Sequence, residues 1–449
     1  MLDKIFTWIP KSVSIEKRFK EKIITEDCVI ICIRNNITQS ILPHPLADFI
    51  FKVYRNQGLS YNSQLKAARV ICSFFNFINI CIEDEMEEFQ SLRKDGIAGL
   101  NLLHACEFIT HVTYKGVSYR TSQYYERVLT KFYKYLKDKN LVTATYDITY
   151  KQIRRGKQIE LILISPFSQS KIEVERPNRM MNNERLKLKD FGENRYRLVY
   201  EFIEEAEKSD IALGVCFQFL AGLRIGEVVN LTKESIYENG LRGNGGFWIV
   251  VEDNQKKLFS HLRNKGDVQV KRPREVFVLS DKKLEEIYYE HLKRLNHLEK
   301  IKGIKNEHAL FVSRKSGLPL SGANYAMKFA QVKERFLERL RINRRYKDLE
   351  FLESLPWSTH IGRGTYTNFL IDIGLSIGEI ANLRGDKTLN ATLRYIERRT
   401  ALQKVQRTIE NLSKLEEISE PTEISGDYER KRELYNVHLT DWRGIDDQR

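Results

Sequence analysis

Two apolar stripes at three- and four-residue steps constrain this chain more than any other feature. Leu65, Ala68, Ile71, Phe75 and Ile78 form one; Tyr125, Val128, Leu129, Phe132 and Leu136 form the other. Such spacing gives a helix one buried face, so residues 45 to about 140 are expected to be helical. Gly58-Leu59-Ser60 and Gly116-Val117-Ser118 each precede a helix, with serine placed as its N-cap. On the second helix Arg127, Lys131, Lys134 and Lys137 occupy the other positions. A solvated face is the default reading of that run, and a DNA-facing one is the sharper reading.

Past residue 141 the pattern changes. A β-prone run at 159–164 is followed by Ser165-Pro166 and a polar stretch containing Arg176-Pro177, which composition marks as a connector. From about Asn194 amphipathic helices resume through Tyr200 and Phe202 and lead into Ala221-Gly222-Leu223-Arg224. A glycine-rich turn at 240–246 precedes a strand at 247–251. Residues 268–270 and 276–279 flank Lys271-Arg272-Pro273-Arg274 and read as a hairpin, and helices dominate again from Asp281. The fold class expected is mainly α with a small antiparallel β-sheet. The divisions are 1–44, 45–145, a linker at 146–190, a mixed α/β region at 191–412, and a tail at 413–449. The first segment carries a short β-like run around Cys28 and Cys32, and the sequence does not decide between an arm and an appended unit.

A chain of 449 residues exceeds one typical core, in keeping with two or three domains. Its formal charge of +14 suggests a polyanionic partner. The charge is unevenly spread. From Glu410 onward 6 basic and 11 acidic residues give −5, which leaves +19 on the rest. The six cysteines (Cys28, Cys32, Cys72, Cys81, Cys106, Cys216) lack metal-ligand spacing and read as buried free thiols. No stretch is read as approaching the roughly 20 apolar residues of a membrane helix, and no signal-peptide pattern opens the chain. A bacterial-type cytosolic or nucleoid-associated protein is expected, with no membrane partner.

Residues able to do chemistry fall in three short segments. In Gly222-Leu223-Arg224-Ile225-Gly226-Glu227, the arginine stands at a helix start. Its guanidinium cannot deprotonate, and its fork matches phosphate oxygens. Glu227, three residues on, shares that helix face and can orient it. Alone, the segment would read as a structural ion pair. Ser358-Thr359-His360-Ile361-Gly362-Arg363 sets His360 and Arg363 on one face near a helix N-terminus, a good anion site. An isolated HxxR arises often by chance. Third come Leu383-Arg384-Gly385-Asp386 and, nine residues later, Tyr395 in a polar helix. A tyrosine there is more often a half-buried packing residue. Tyr366, on the helix of His360, reads as core.

In this order the set resembles the tyrosine recombinase (phage integrase) family over about residues 195–400. Gly222-Leu223-Arg224-x-x-Glu227 resembles the segment of the first catalytic arginine, His360-x-x-Arg363 the second box, Lys271 the β-hairpin lysine, and Tyr395 the nucleophile. The helical region is similar to the family's core-binding domain. The resemblance implies that 45–145 binds DNA, that 191–412 is catalytic, and that the two clamp a duplex. Arg224 and Arg363 would hold the non-bridging oxygens, and His360 would add a hydrogen bond or help move a proton. Lys271 would protonate the departing 5′ oxygen. Tyr395 would form a 3′-phosphotyrosine that conserves bond energy, so no metal, ATP or other cofactor is implied. Lys265 rivals Lys271, because residues 255–274 hold seven Lys/Arg against one acidic residue. Lys265, Arg272 and Arg274 join Arg127, Lys131 and Lys134 as candidate DNA contacts.

The partners implied are double-stranded DNA, a homotetramer on paired sites, and accessory or directionality factors. The setting implied is integration, excision or transposition of a mobile element. Leu402, Val405, Ile409 and Leu412 are at helical spacing, to dock on a neighbouring subunit or to pack within their own. One position departs from the family: Asp386 stands where histidine or tryptophan is usual. A carboxylate at that contact would repel phosphate by roughly 1 to 4 kcal/mol at about 4 Å, so Asp386 is expected to turn away toward Arg384, Lys387 or a catalytic arginine. A catalytically weakened DNA-binding protein on the same scaffold, and a type IB topoisomerase-like activity, are the alternatives.

Overall fold

The computed structural model describes residues 5–19, 22–155, 158–179, 187–241, 245–262, 268–386 and 388–389. Its contacts divide the chain into two units, Met1–Arg363 and Gly364–Arg449.

The first unit opens with a sheet. β1 (Phe6–Phe19) and β2 (Lys22–Asn35) run antiparallel with Val13 opposite Cys28, and β3 (Ile41–Pro43) pairs with the other side of β2. The Trp8 N–H on edge strand β1 points outward, to Asn76 Oδ1 at 2.8 Å. Pro10, two residues on, faces the same way, so its missing N–H breaks no ladder bond. α1 (Ala47–Ile50) leads to α2 (Tyr61–Glu83), and the single turns α3 (Glu87–Gln90) and α4 (Leu92–Asp95) precede α5 (Leu102–Tyr114) and α6 (Tyr119–Asp138).

Both serine caps are present. Ser60 Oγ accepts from Ser63 N and Ser118 Oγ from Thr121 N, each at 3.3 Å. The stripe of α2 is buried, as are Val128, Leu129, Phe132 and Leu136 of α6. Val29 and Ile31 of β2 join that core. Trp8 stacks on Phe75 at 4.4 Å, and Asn76 Nδ2 donates to Trp8 O at 3.0 Å. The N-terminal segment, left open by the sequence, is thus a sheet seated on α2. The membrane reading needs correction: α2 is long and apolar enough to cross a bilayer by length and composition. Its apolar face is instead packed against α5, α6 and the sheet. All six cysteines are buried free thiols.

β4 (Tyr150–Arg155) and β5 (Gln158–Leu163) form a hairpin, followed by α7 (Pro166–Gln169). Tyr146 and Phe167 lie in the helical core. Arg176 donates two 3.0 Å bonds to Glu126 of α6, so the segment stays on the helices that far.

A second core follows, built by α8 (Arg195–Glu207), α9 (Ala212–Leu220) and α10 (Ile225–Val229). Next comes the antiparallel sheet β6 (Ile236–Tyr237), β7 (Trp248–Val251) and β8 (Arg274–Phe277), with α11 (Gln255–Leu258) between the last two strands. α12 (Lys282–Lys302), α13 (Gly322–Ile342), α14 (Tyr346–Glu353) and the start of α15 (His360–Ile373) complete it. Phe202 anchors this core, its ring 5.2 to 5.8 Å from those of Phe219, Phe329, Phe336 and Trp357. Such aromatic packing supplies large apolar burial per residue.

The hairpin expected across 268–279 is not formed. β8 pairs with β7, Arg274 opposite Val251 and Phe277 opposite Trp248. Val268 and Val270 are buried in a non-strand turn, where the Asn230 side-chain amide takes the Val268 carbonyl. Their alternation with Gln269 imitates a strand.

The second unit contains the rest of α15 and α16 (Ile377–Arg384), whose entry is a capping box: Ser376 Oγ accepts from Glu379 N and Glu379 Oε2 from Ser376 N. Tyr366 is buried, as its core reading requires.

Candidate active site

Local backbone geometry builds the site first. Helix α9 ends at Leu220, and Gly222 then takes φ = 62°, a left-handed conformation costly for any residue with a Cβ. The turn buries Leu223, whose N–H returns to Phe217 O at 3.2 Å, and makes Arg224 the N-cap residue of α10. Glu227 then closes back on it. Its Oε2 accepts the Arg224 backbone N–H and its Oε1 accepts Arg224 Nη1, both at 2.8 Å.

Glu227 is 1% exposed, and burial alone would raise its pKa. The hydrogen bonds and charge of Arg274, with those of Arg224, outweigh burial and hold the carboxyl down at about 2. It is therefore a carboxylate at neutral pH.

Helix α15 meets α9 nearly backbone to backbone. A Cβ on Gly362 would come within 3.0 Å of the Gln218 backbone, so only glycine permits this approach without movement. Arg363 is consequently buried, and its Nη1 donates to the Gly222 carbonyl at 2.5 Å. One glycine thus starts the Arg224 turn and anchors Arg363. His360 keeps a face open to solvent at the start of α15. Partial desolvation, and then the positive charges of Arg224, Arg363, Lys187 and Lys271, push its pKa below the ordinary value. A neutral imidazole ringed by cations can donate one hydrogen bond to an anion, and the surrounding charge favours binding of a phosphate group.

Arg224, Glu227, His360, Arg363 and Lys271 therefore lie in one neighbourhood, Lys271 exposed in the segment before β8. Tyr395, the segment 400–412, the acidic tail and Lys265 lie outside the described residues. In the second unit Asp386 turns to Arg384, Oδ2 to Nε at 3.2 Å, one of the three partners expected for it. Both side chains are buried, Arg384 also donates to Thr367 Oγ1, and the Asp386 N–H returns to Ala381 O.

Of the candidate DNA contacts, Arg274 requires correction. It is nearly buried and forks onto Glu227, Nη1 to Oε1 at 2.8 Å and Nη2 to Oε2 at 2.9 Å. Arg272 is half-buried. Arg127 and Lys131 are exposed and lie over the rings of Tyr124 and Tyr54, while Lys134 is drawn to Asp138 at 2.5 Å. Sequence reasoning missed two features. A groove of about 590 Å³ between α2 and α6 is lined by Lys66, Arg69, Arg120, Tyr124 and Arg127. Lys66 and Arg69, three apart among apolar residues of α2, carried a signal for it. Lys187 carried none. It stands in an aperiodic stretch beside Leu188, whose N–H is held by Pro356 O at 3.2 Å.

No family model matches the chain, and no curated protein matches it in sequence. Solved structures do. The chain is similar to the Tn1549 transposon integrase (aa 82-397) in complex with circular intermediate DNA, at 17% identity and a TM-score of 0.45, covering 80% of this chain and 98% of that one. It is similar to the XerH site-specific recombinase bound to a palindromic difH substrate, at 16% identity and TM-score 0.48, covering 80% and 82%. A third is a lambda integrase (75-356) dimer bound to a COC′ core site, at 11% identity and TM-score 0.38, covering 72% and 94%.

Proposed function

We propose that this protein is a tyrosine-type DNA strand transferase, a site-specific recombinase or integrase. The observation that carries the proposal is the arrangement around Gly222: Arg224 leaves its turn, Arg363 binds its carbonyl, and His360 stands in their field. In the proposed reaction the two guanidiniums hold the non-bridging oxygens of a phosphodiester, with His360 as an additional donor. The Tyr395 oxygen attacks phosphorus as its phenolic proton passes to the neutral His360 imidazole, and the bond to the 5′ oxygen breaks as Lys271 gives that oxygen a proton. The 3′-phosphotyrosine so formed is attacked in turn by a 5′ hydroxyl of a partner strand, which releases Tyr395.

The helical region 45–145 is proposed as the DNA-binding half of a clamp, supported by the basic, tyrosine-lined groove on α2 and α6. Residues 191–412 are proposed as the catalytic domain. Assembly as a homotetramer on paired sites, accessory factors, and service to a mobile element belong to the same proposal and rest on the family resemblance.

The experiment is incubation of the full chain with nicked duplexes carrying the DNA that flanks its own coding region. A covalent adduct that survives denaturation, and disappears in Tyr395→Phe, is expected. Salt-sensitive binding with no adduct from the unaltered chain would leave a DNA-binding protein only.

A further inference from the structure

Glu227 is claimed twice. Each of its oxygens accepts one bond from Arg224 and one from Arg274, all four at 2.8 to 2.9 Å. The two arginines reach it from different elements, the N-cap of α10 and the first residue of β8. Arg224 alone with a buried carboxylate would be a neutral pair, its fork spent on Glu227. With Arg274 added, the group carries one net positive charge, and the carboxylate's remaining acceptor sites are filled. Arg224, which remains the more exposed of the two arginines, is then not neutralised by Glu227 alone. Arg274 also opens the strand that follows Lys271 by three residues, so the same fork sets where that segment leaves the sheet.

We infer that Arg274 is a positioning residue: acting through Glu227, it fixes the orientation of Arg224 and preserves its charge for the phosphate. This rests on the strand-transfer reading for its catalytic consequence, but not for the arrangement itself. Arg274 touches no reacting atom, and its contribution reaches the phosphate only through the carboxylate.

The test compares Arg274→Met, Arg274→Lys, Glu227→Gln and the Glu227→Gln/Arg274→Met double variant in the full chain, each first checked for cooperative unfolding. On nicked flanking duplex, Arg274→Met should slow single-turnover adduct formation by about 100-fold, the order expected of a misplaced catalytic group. DNA affinity, spread over many phosphate contacts, should change by less than about threefold, so the loss appears in the rate of the bound complex. Arg274→Lys, which keeps charge without the fork, should recover about tenfold of that loss. In the Glu227→Gln background the Met substitution should cost less than about threefold, because the interaction it removes is already gone.

Equal losses in both backgrounds would overturn the inference. So would a salt slope reduced by about one with an unchanged rate in the bound complex, which would make Arg274 a direct phosphate contact. If the unaltered chain forms no adduct, the strand-transfer reading has failed by itself. The same variants are then compared by titration with inorganic phosphate, followed at the His360 ring protons. About tenfold weaker binding in Arg274→Met, absent in the Glu227→Gln background, supports positioning; unchanged binding overturns it.

Discussion

Asp386 illustrates how a single side chain is committed. Gly385 ends α16, the Asp386 N–H turns back to Ala381 O, and the carboxylate meets Arg384 where neither side chain sees solvent. Removing one partner of such a buried ion pair costs about 3 to 5 kcal/mol. Asp386→Ala should therefore lower unfolding stability by about that amount, with Asp386→Asn milder because it keeps an acceptor. An alanine variant as stable as the unaltered protein in a denaturant titration would refute the claim. Asp386→His, which introduces the residue usual in the family the sequence resembles, removes the same counter-ion and should carry the same penalty. Arg224 with Glu227, and His360 with Arg363, could be singled out as candidates because each lies within three residues of its motif partner. Arg274 was misread because its partner is 47 residues away. A charge in a basic loop suggests a polyanion, but only the fold reveals the buried carboxylate that claims it.

Among elements, the α9–α15 contact decides whether the site exists. Gly362→Ala sets two effects against each other. Helix propensity favours alanine by about 1 kcal/mol, while the added methyl, 3.0 Å from the Gln218 backbone, costs about 1 to 3 kcal/mol as overpacking. Net stability should fall by about 1 kcal/mol. Adduct formation should fall further, about 100-fold, since relief comes from moving His360 and Arg363 away from Gly222. Denaturant unfolding and single-turnover assays on one preparation separate the two; an unaltered rate would show that α15 tolerates displacement. Helices were readable as elements wherever apolar period and serine cap agreed, as in α2 and α6. The β7–β8 pairing was not, since 22 residues intervene and Val268 and Val270 offered a nearer, false partner.

Across the whole molecule, protonation sets the acid limit in two windows. His44, His104, His111, His291 and His360 are all held below their ordinary pKa, burial being the first cause in each. A depressed folded pKa means stability that is complete above the unfolded value of 6.5 and lost as pH falls through the folded values. Thermal midpoints should thus decline from pH 7 toward 5. His291→Gln, which keeps a donor for the Leu310 carbonyl, should flatten part of that slope. A midpoint constant over this range would refute the claim. Glu227 acts lower, its share present above about 4.5 and lost toward 2.

The hydrogen bond from Arg363 to Gly222 spans 141 residues. Synthesis proceeds from the N-terminus, so a ribosome-bound chain already holding its basic helical groove has no second guanidinium until α15 emerges. Tyr395 follows 32 residues later. On the proposed chemistry, a prematurely terminated product can occupy DNA but cannot cut it, and truncation yields a competitor of the full-length protein instead of an unregulated nuclease.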